Sequence, residues 1–331
     1  MKDGAMSEQR RPRIVVIGSI NLDLVYHVPR LPQPGETLTG TSFQQIHGGK
    51  GANQAVAAAR LNAEVSMIGR IGDDAFGMAL IAGLRHEAVD VSHVKTSVGT
   101  SSGLAVIGVE DSGQNCITVI PGANGLVTSE DIMAAEPMIA AADVLLLQLE
   151  IPVAAVITAI GIARQYNVLT ILDPAPALEN FPVELLCVDV VCPNESEASL
   201  ITGLPVTNVA EAMVASRQLK SLGARIAVIT LGSHGCVVCD ESDNPRHVPS
   251  FAVTAVDTTA AGDAFAGALG FCLAKGQPIL EALRFASAAG ALASTRQGAQ
   301  PAMPRLDEVM ALAQQSRVGD TGHNEGRNSR E

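Results

Sequence analysis

The run VLLLQLEIP, residues 144–152, is apolar from Val144 to Leu147, turns polar at Gln148 and Glu150, and stops at Pro152. Apolar and polar residues do not alternate, so neither face of such a strand would meet water. Continuous hydrophobicity of this length belongs to a strand covered on both sides, as in a parallel sheet. Three later runs repeat the pattern: VLTILDP (168–174), VDVVCPN (188–194) and IAVITLG (226–232), each separated from the next by a plausible helix. RIVVIGSI (13–20) reads as another buried strand. Right-handed crossovers then give a doubly wound, mostly parallel α/β fold.

The early part of the chain departs from this rhythm. Residues 21–47 contain Pro29, Pro32 and Pro34 with alternating pieces such as ETLTG, and residues 100–122 read as a hairpin, GLAVIGV and NCITVI joined by EDSGQ. These segments predict a small, mostly antiparallel sheet beside the α/β body, with helices near 51–61 and 74–88. FAVTAVDTT (251–259) reads as a strand and its exit, and DAFAGALGFCLAKG (263–276) as a helix ending at Gly276. One domain over 12–315 is expected, with polar tails at 1–11 and 316–331.

Composition narrows the function. Of 331 residues, 47% are hydrophobic but only 3% aromatic, and the net charge of −12 argues against a nucleic-acid binder, which needs a basic face. The polar N-terminus lacks a targeting signal, and the apolar stretch 138–163 is broken by Asp143, Gln148, Glu150 and Pro152, so no membrane span is expected. Six scattered cysteines fit a reducing compartment. Cys236 and Cys239, three apart in a strand pattern, would point to opposite faces, so they read as buried hydrophobes and not as a metal or redox pair.

Polar residues recur where the parallel strands end: Asn21 and Asp23, Glu150, Asp173, Asn194, and the Gly232–Ser233 turn. Ligands of open α/β sheets bind there. Three helix starts carry the candidate chemistry. HGGKGANQAVAAARL (47–61) surrounds Lys50 with Gly48, Gly49 and Gly51, which lets backbone amides approach a ligand; the spacing is neither a Walker A loop nor G-x-G-x-x-G. Asn53 in its first turn faces a sugar hydroxyl or merely solvent. PNESEASLITG (193–203) pairs Asn194 with Glu197 in a capping-box spacing, with water-coordinated Mg²⁺ as the functional alternative for Glu197. VDTTAAGDAFAGAL (256–269) exposes the amides of Ala260, Ala261 and Gly262 at a helix N-terminus, a ready anion site. Taken alone, Asp263 reads as a helix cap or first-turn acid, with a general base as the functional alternative. GTSSG (99–103) matches a serine-hydrolase elbow, but a strand follows Ser101 where a helix is required.

In order along residues 13–310, GSINLDLV, PGETLTG, GGKGANQAVAAA, GDDAFG, LLLQLE, DPAPA, PNESEA, TLGSHG, VDTTAAGDAFAGAL and TRQGAQPAMP resemble the ribokinases of the PfkB carbohydrate kinase family. The resemblance implies a ribokinase-like fold whose antiparallel piece is a lid, and transfer of the γ-phosphoryl group of ATP to the 5-hydroxyl of D-ribose. It places Asn21, Asp23, Gly49, Lys50, Asn53 and Glu150 on the sugar, with Asp263 as base and Ala260, Ala261 and Gly262 as the anion hole. Asn194, Thr230, Leu231, Gly232, Ser233, His234, Gly235 and Ser287, with Gly262, would line the nucleotide, and Glu197 would stand near Mg²⁺. A K⁺ site would use Asp257, Thr259, Ala293, Arg296, Gly298 and Ala302. It also implies a cytoplasmic homodimer joined through the lids. Two positions depart from the family pattern: Ala302 stands where serine is usual, removing a possible ion ligand, and Ser287 where histidine often lines the adenine pocket. A deoxyribose kinase is the nearest alternative, and a sugar-binding regulator without catalysis the alternative from another class.

Overall fold

The computed structural model describes residues 10–320. In chain order the early elements are β1 (Arg13–Ile17), β2 (Asn21–Val28), β3 (Ser42–Gly48), α1 (Lys50–Arg60), β4 (Glu64–Gly72), α2 (Ala75–His86), β5 (Val89–Ser97), β6 (Gly103–Glu110) and β7 (Asn115–Ile120). There follow α3 (Ser129–Ala134), α4 (Glu136–Ala140), β8 (Val144–Leu147), α5 (Val153–Tyr166), β9 (Leu169–Leu172), β10 (Val190–Val191), α6 (Glu195–Thr202) and α7 (Val209–Ser221). The last are β11 (Ile226–Thr230), β12 (Cys236–Cys239), β13 (Arg246–Val248), α8 (Ala261–Ala274), α9 (Ile279–Ser294) and α10 (Leu306–Asp320).

The body is a nine-stranded sheet in the order β13-β12-β11-β10-β9-β8-β1-β4-β5, parallel except at β12 and β13. The runs without alternation are buried on both faces, as expected. Ile14 and Val16 enter one core with α1, α8 and α9, whereas Val15 and Ile17 enter the other with α5 and α7. The strand order reverses between β1 and β8: the chain builds outward to β5 from one and to β11 from the other. Such a switch point opens a crevice beyond the strand ends.

The lid is a separate four-stranded sheet, β3-β2-β6-β7. Its two hairpin-type pairings are antiparallel, and its centre, β2 against β6, is parallel. Two expectations change. Residues 251–259 form no strand; β13 ends at Val248, and the following segment is mostly exposed with no sheet partner. The expected tails lie largely outside the described residues, but Arg10 pairs with Asp143, Arg11 donates to the Asn62 and Ala63 carbonyls, and α10 runs to Asp320. Cys236 and Cys239 are both buried in β12 and free of disulfides.

One close contact sets up the site. At Gly267 of α8 an added Cβ would lie 2.7 Å from Ala57 Cβ and 2.9 Å from the Gln54 carbonyl oxygen. The missing side chain lets α1 and α8 press together at their ligand-facing ends, where each contributes polar groups.

Candidate active site

One side of the site is built on the crevice between β1 and β8. Just past β1, Ser19 Oγ donates to Glu150 Oε2, and the Lys50 amide donates to the same oxygen at 3.2 Å. Glu150 is thereby tied to both the first strand exit and the start of α1. Asn21 and Asp23, two apart on β2, share a face and are buried. Asn124 fixes this corner: its Oδ1 accepts from the Ile20 amide at 2.9 Å and its Nδ2 donates to Asn21 Oδ1 at 2.6 Å. Glycines make the room. A Cβ at Gly48 would overlap the Asp23 carboxylate, and one at Gly49, whose φ is +88°, would lie 2.6 Å from the Asn21 amide nitrogen. Burial, then the charges of Glu150 and Asp263, push the Asp23 carboxyl up to about 7.

The start of α8 forms the floor. Ala260 is left-handed (φ 60°) and provides no side-chain cap. Asp263 does not cap the helix either; of the two local readings it is the first-turn acid that holds, and its carboxylate turns toward α1. Asn53 Nδ2 donates to Asp263 Oδ2 at 2.9 Å, and Gln54 Nε2 to Oδ1 at 3.2 Å. Asn53 is 5% exposed, so it does not face solvent; one N–H is given to Asp263, and its Oδ1 is buried without a partner. The three expected bare amides are reduced as well, because Ala261 N–H donates to the Thr258 carbonyl at 3.2 Å. The amides of Gly262 and Asp263 stay in the first turn, where no intrahelical acceptor exists.

Burial raises the Asp263 carboxyl above its usual range, and Lys50 pulls against that shift. Asp173 is pushed up to about 8, again by burial against the pull of Lys50. Burial lowers the Lys50 ammonium, but Asp263, Asp173, Glu150 and Glu197 outweigh it, so the net shift is upward and Lys50 stays charged. One cation thus faces four carboxylates.

Beyond this floor opens a cavity of about 630 Å³. Lys50, Asn194, Thr230, Gly232, Ser233, Gly235, Ala260, Ala261, Gly262, Asp263 and Ser287 all line it. Ser287 is 6% exposed and its Oγ has no partner. Leu231 is instead a core residue, and His234 lies off the wall, its carbonyl accepting from a His247 ring nitrogen at 2.6 Å. Glu197 sits behind Asn194 in a complete capping box: the Asn194 amide donates to Glu197 Oε2 at 2.8 Å and the Glu197 amide to Asn194 Oδ1 at 2.9 Å. Burial raises its carboxyl.

A second cavity, of about 320 Å³, lies between the lid and two body loops, lined by Asp23, Ile46, Asp257, Thr259 and Gly298 among others. Asp257 joins the loops. Its Oδ1 accepts from the Thr259 amide and its Oδ2 from the Gly298 amide, both at 2.9 Å, while its own N–H donates to the Ser294 carbonyl at 3.1 Å. Arg296 is ion-paired to Glu308, and Ala293 and Ala302 are fully buried. Among the described residues no group of three or more His, Cys, Asp and Glu is arranged to hold a metal.

The site's sequence motifs thus converge from β1, β2, α1, β8, β9, α6, β11, α8 and α9 on one crevice. The family model for pfkB family carbohydrate kinases matches residues 11–306. The chain belongs to the pfkB family of carbohydrate kinases. Within it, the chain is a ribokinase-type sugar kinase: it is 40% identical over 300 residues to the ribokinase of Haemophilus influenzae, covering 91% of this chain and 98% of that protein. It is also 36% identical over 296 residues to the deoxyribokinase of Salmonella typhi, covering 89% of this chain and 96% of that one. Among solved structures, the Arabidopsis thaliana ribokinase complexed with ribose and ATP superposes with a TM-score of 0.85 at 33% identity, covering 92% of this chain and 99% of that chain. This pfkB-family chain has, among its described residues, no helix long and apolar enough to cross a membrane.

Sequence reasoning missed Gln54, Gln148, Ser19 and Asn124. Their signal was available in principle, since each is a polar residue inside an apolar or small-residue run, but their partners lie far away in the chain.

Proposed function

We propose that this chain transfers the γ-phosphoryl group of ATP to the 5-hydroxyl of D-ribose, in the cytoplasm, with Asp263 as the proton acceptor. The observation that carries this is the position of Asp263. It is buried where the 630 Å³ cavity meets the sugar-side groups, next to free first-turn amides and across from Lys50. As the sugar oxygen bonds to the γ-phosphorus, the bond from that phosphorus to the bridging oxygen breaks, ADP leaves, and the hydroxyl proton passes to Asp263. Phosphoryl transfer asks mainly for in-line positioning and charge neutralisation. Burial strengthens Asp263 as a base over an ordinary aspartate, whose pKa is about 3.9.

Asn21, Asp23, Gly49, Asn53 and Glu150 hold the sugar in this reading. Asn194, Thr230, Gly232, Ser233, Gly235 and Ser287 hold the nucleotide, the Gly262 amide meets its phosphates, and Lys50, given to the sugar by the resemblance, reaches the same cavity. The excess of carboxylates over Lys50 fits a divalent ion that keeps most of its waters, near Glu197. Such an ion would neutralise phosphate charge. The loops joined by Asp257 fit a monovalent ion held largely by carbonyls, with Thr259, Ala293, Arg296 and Gly298 near it; Ala302 brings no side-chain oxygen. Exposed Phe43, Ile117 and Val119 on the lid support a dimer through that sheet.

Asp23 and Asn21 also favour ribose over 2-deoxyribose, because a site that binds a hydroxyl rejects its absence. ADP release measured with ribose, deoxyribose, fructose and adenosine tests the assignment. The expected order puts ribose first in kcat/KM; comparable values for deoxyribose would sink the ribose assignment, and silence with every acceptor would favour a binding protein.

A further inference from the structure

Gln54 follows Asn53 in α1 and is 1% exposed. An amide buried in an alanine-rich helix is costly unless its polar atoms are paired. Here each is paired, and by residues from three other parts of the chain. Nε2 donates to Asp173 Oδ2 at 3.0 Å and to Asp263 Oδ1 at 3.2 Å, while Oε1 accepts from Gln148 Nε2 at 2.5 Å. Asp263 has to be ionised to act as a base and can then only accept, so its contact sets the nitrogen end of the amide. Gln148 is itself fully buried at the end of β8, and its side chain runs through space that a Cβ on Gly18 would fill. Gln54 lines neither the 630 Å³ nor the 320 Å³ cavity.

We propose that Gln54, pinned by Gln148 and Asp173, is a positioning residue that sets the plane of the Asp263 carboxylate. The inference rests on Asp263 being the base. Asn53 and Gln54 each take one lone-pair direction on a different oxygen of Asp263, which removes rotation about its last bond and leaves the carboxylate aimed before any hydroxyl arrives. The bridge orients and does not relay. The Gln54 nitrogen has its lone pair delocalised into the amide and both hydrogens committed, so the proton taken by Asp263 has no route through it to Asp173. Asp173 serves instead as the anchor on the far side.

Gln54→Met keeps the volume and removes the hydrogen bonds. The groups facing Asp263 are Lys50 on α1, Asp23 on β2, Glu150 after β8, Asp173 after β9 and Glu197 on α6; they stay in place in this variant. A hydrogen bond to the charged form of a carboxyl lowers its pKa, so its loss moves the acid limb of the kcat–pH profile to higher pH. Expected is a fall in kcat of about 10- to 100-fold, a ribose KM within about twofold of wild type because Gln54 touches no substrate, and that alkaline shift. A general packing defect would lower the melting temperature without moving the limb. Gln148→Met leaves the Gln54–Asp263 bond but frees the amide, and is expected to shift the limb in the same direction by less. A folded Gln54→Met enzyme with the wild-type kcat and profile overturns the proposal. If Gln54→Met does not fold, a wild-type profile in Gln148→Met overturns it and a shifted one supports it. A wild type silent with every sugar defeats the kinase assignment and this inference together; an active wild type with indifferent variants defeats this inference alone.

Discussion

Asn53 and Asp263 stand 210 positions apart, and the Asn53 amide donates to Asp263 Oδ2 at 2.9 Å. The contact makes the helix that follows the glycine-rich segment part of what holds Asp263, the proposed proton acceptor. Asp263→Asn preserves the shape and removes the basicity. It should lower kcat by at least about 100-fold while calorimetry still detects ribose binding; near-normal turnover would remove the base role.

The Asp23 carboxyl titrates near 7 because it is buried and faces Glu150 and Asp263. In the free enzyme its ionised form is the better acceptor for sugar hydroxyls. The kcat/KM for ribose should therefore rise with pH through about 7, and Asp23→Asn should flatten that limb at a lower plateau. A profile unchanged by the substitution would assign the limb to another group.

Asp173 bears on stability. Its folded-state pKa, about 8, lies above the ordinary 3.8 of a free aspartate, so the folded protein holds this proton more tightly than the unfolded chain does. Its contribution is therefore fully present below pH 3.8 and is lost as pH rises from there to about 8. Asp173→Asn keeps an acceptor for Gln54 and cannot ionise. The melting temperature of the variant relative to wild type should be higher at pH 8 than at pH 5, by about 2–4 °C. An equal difference at both pH values would mean that Asp173 does not change charge on folding.

Gly48 tests the proposed sugar side separately from the proposed nucleotide side. A methyl group there must displace the Asp23 carboxylate. Gly48→Ala is expected to raise the ribose KM about tenfold or more with the KM for ATP little changed. Equal changes in both constants would point to a distortion of the whole crevice.

Asp257 accepts from two backbone amides on loops 41 residues apart at its Gly298 bond. Asp257→Ala unties them. The variant should lose turnover and also any preference for K⁺ over Na⁺, read as the ratio of kcat in the two salts. A wild-type ratio in the variant would separate the loops from ion selection.

The sheet was legible because its signal is one-dimensional. A strand such as Val144–Leu147, buried on both faces, has to be apolar at every position, and the sequence says so without help from distant residues. Residues 251–259 misled for the same reason: FAVTAV has strand-like composition, but no neighbouring strand offers it hydrogen bonds, and composition does not reveal a partner's absence. Asp263 was legible as a first-turn acid and ambiguous as more, because a cap and a base have the same local surroundings. What separates them is the direction of the carboxylate, set by Asn53 and Gln54 across the α1–α8 contact. Gln54 and Gln148 escaped notice because a glutamine in a helix or at a strand end is ordinary until both are found buried against each other.

The lid's attachment has a consequence for catalysis. β2 begins four residues after β1 ends, and β3 passes into α1 through Gly49 alone. Three of the residues that join the lid to the body, Asn21, Asp23 and Gly49, are therefore among those proposed to touch the sugar. A rigid swing of the four-stranded sheet cannot leave them behind. On the proposed assignment, grip on the acceptor and the posture of the cover are coupled, so opening the lid would also loosen its hold on the sugar.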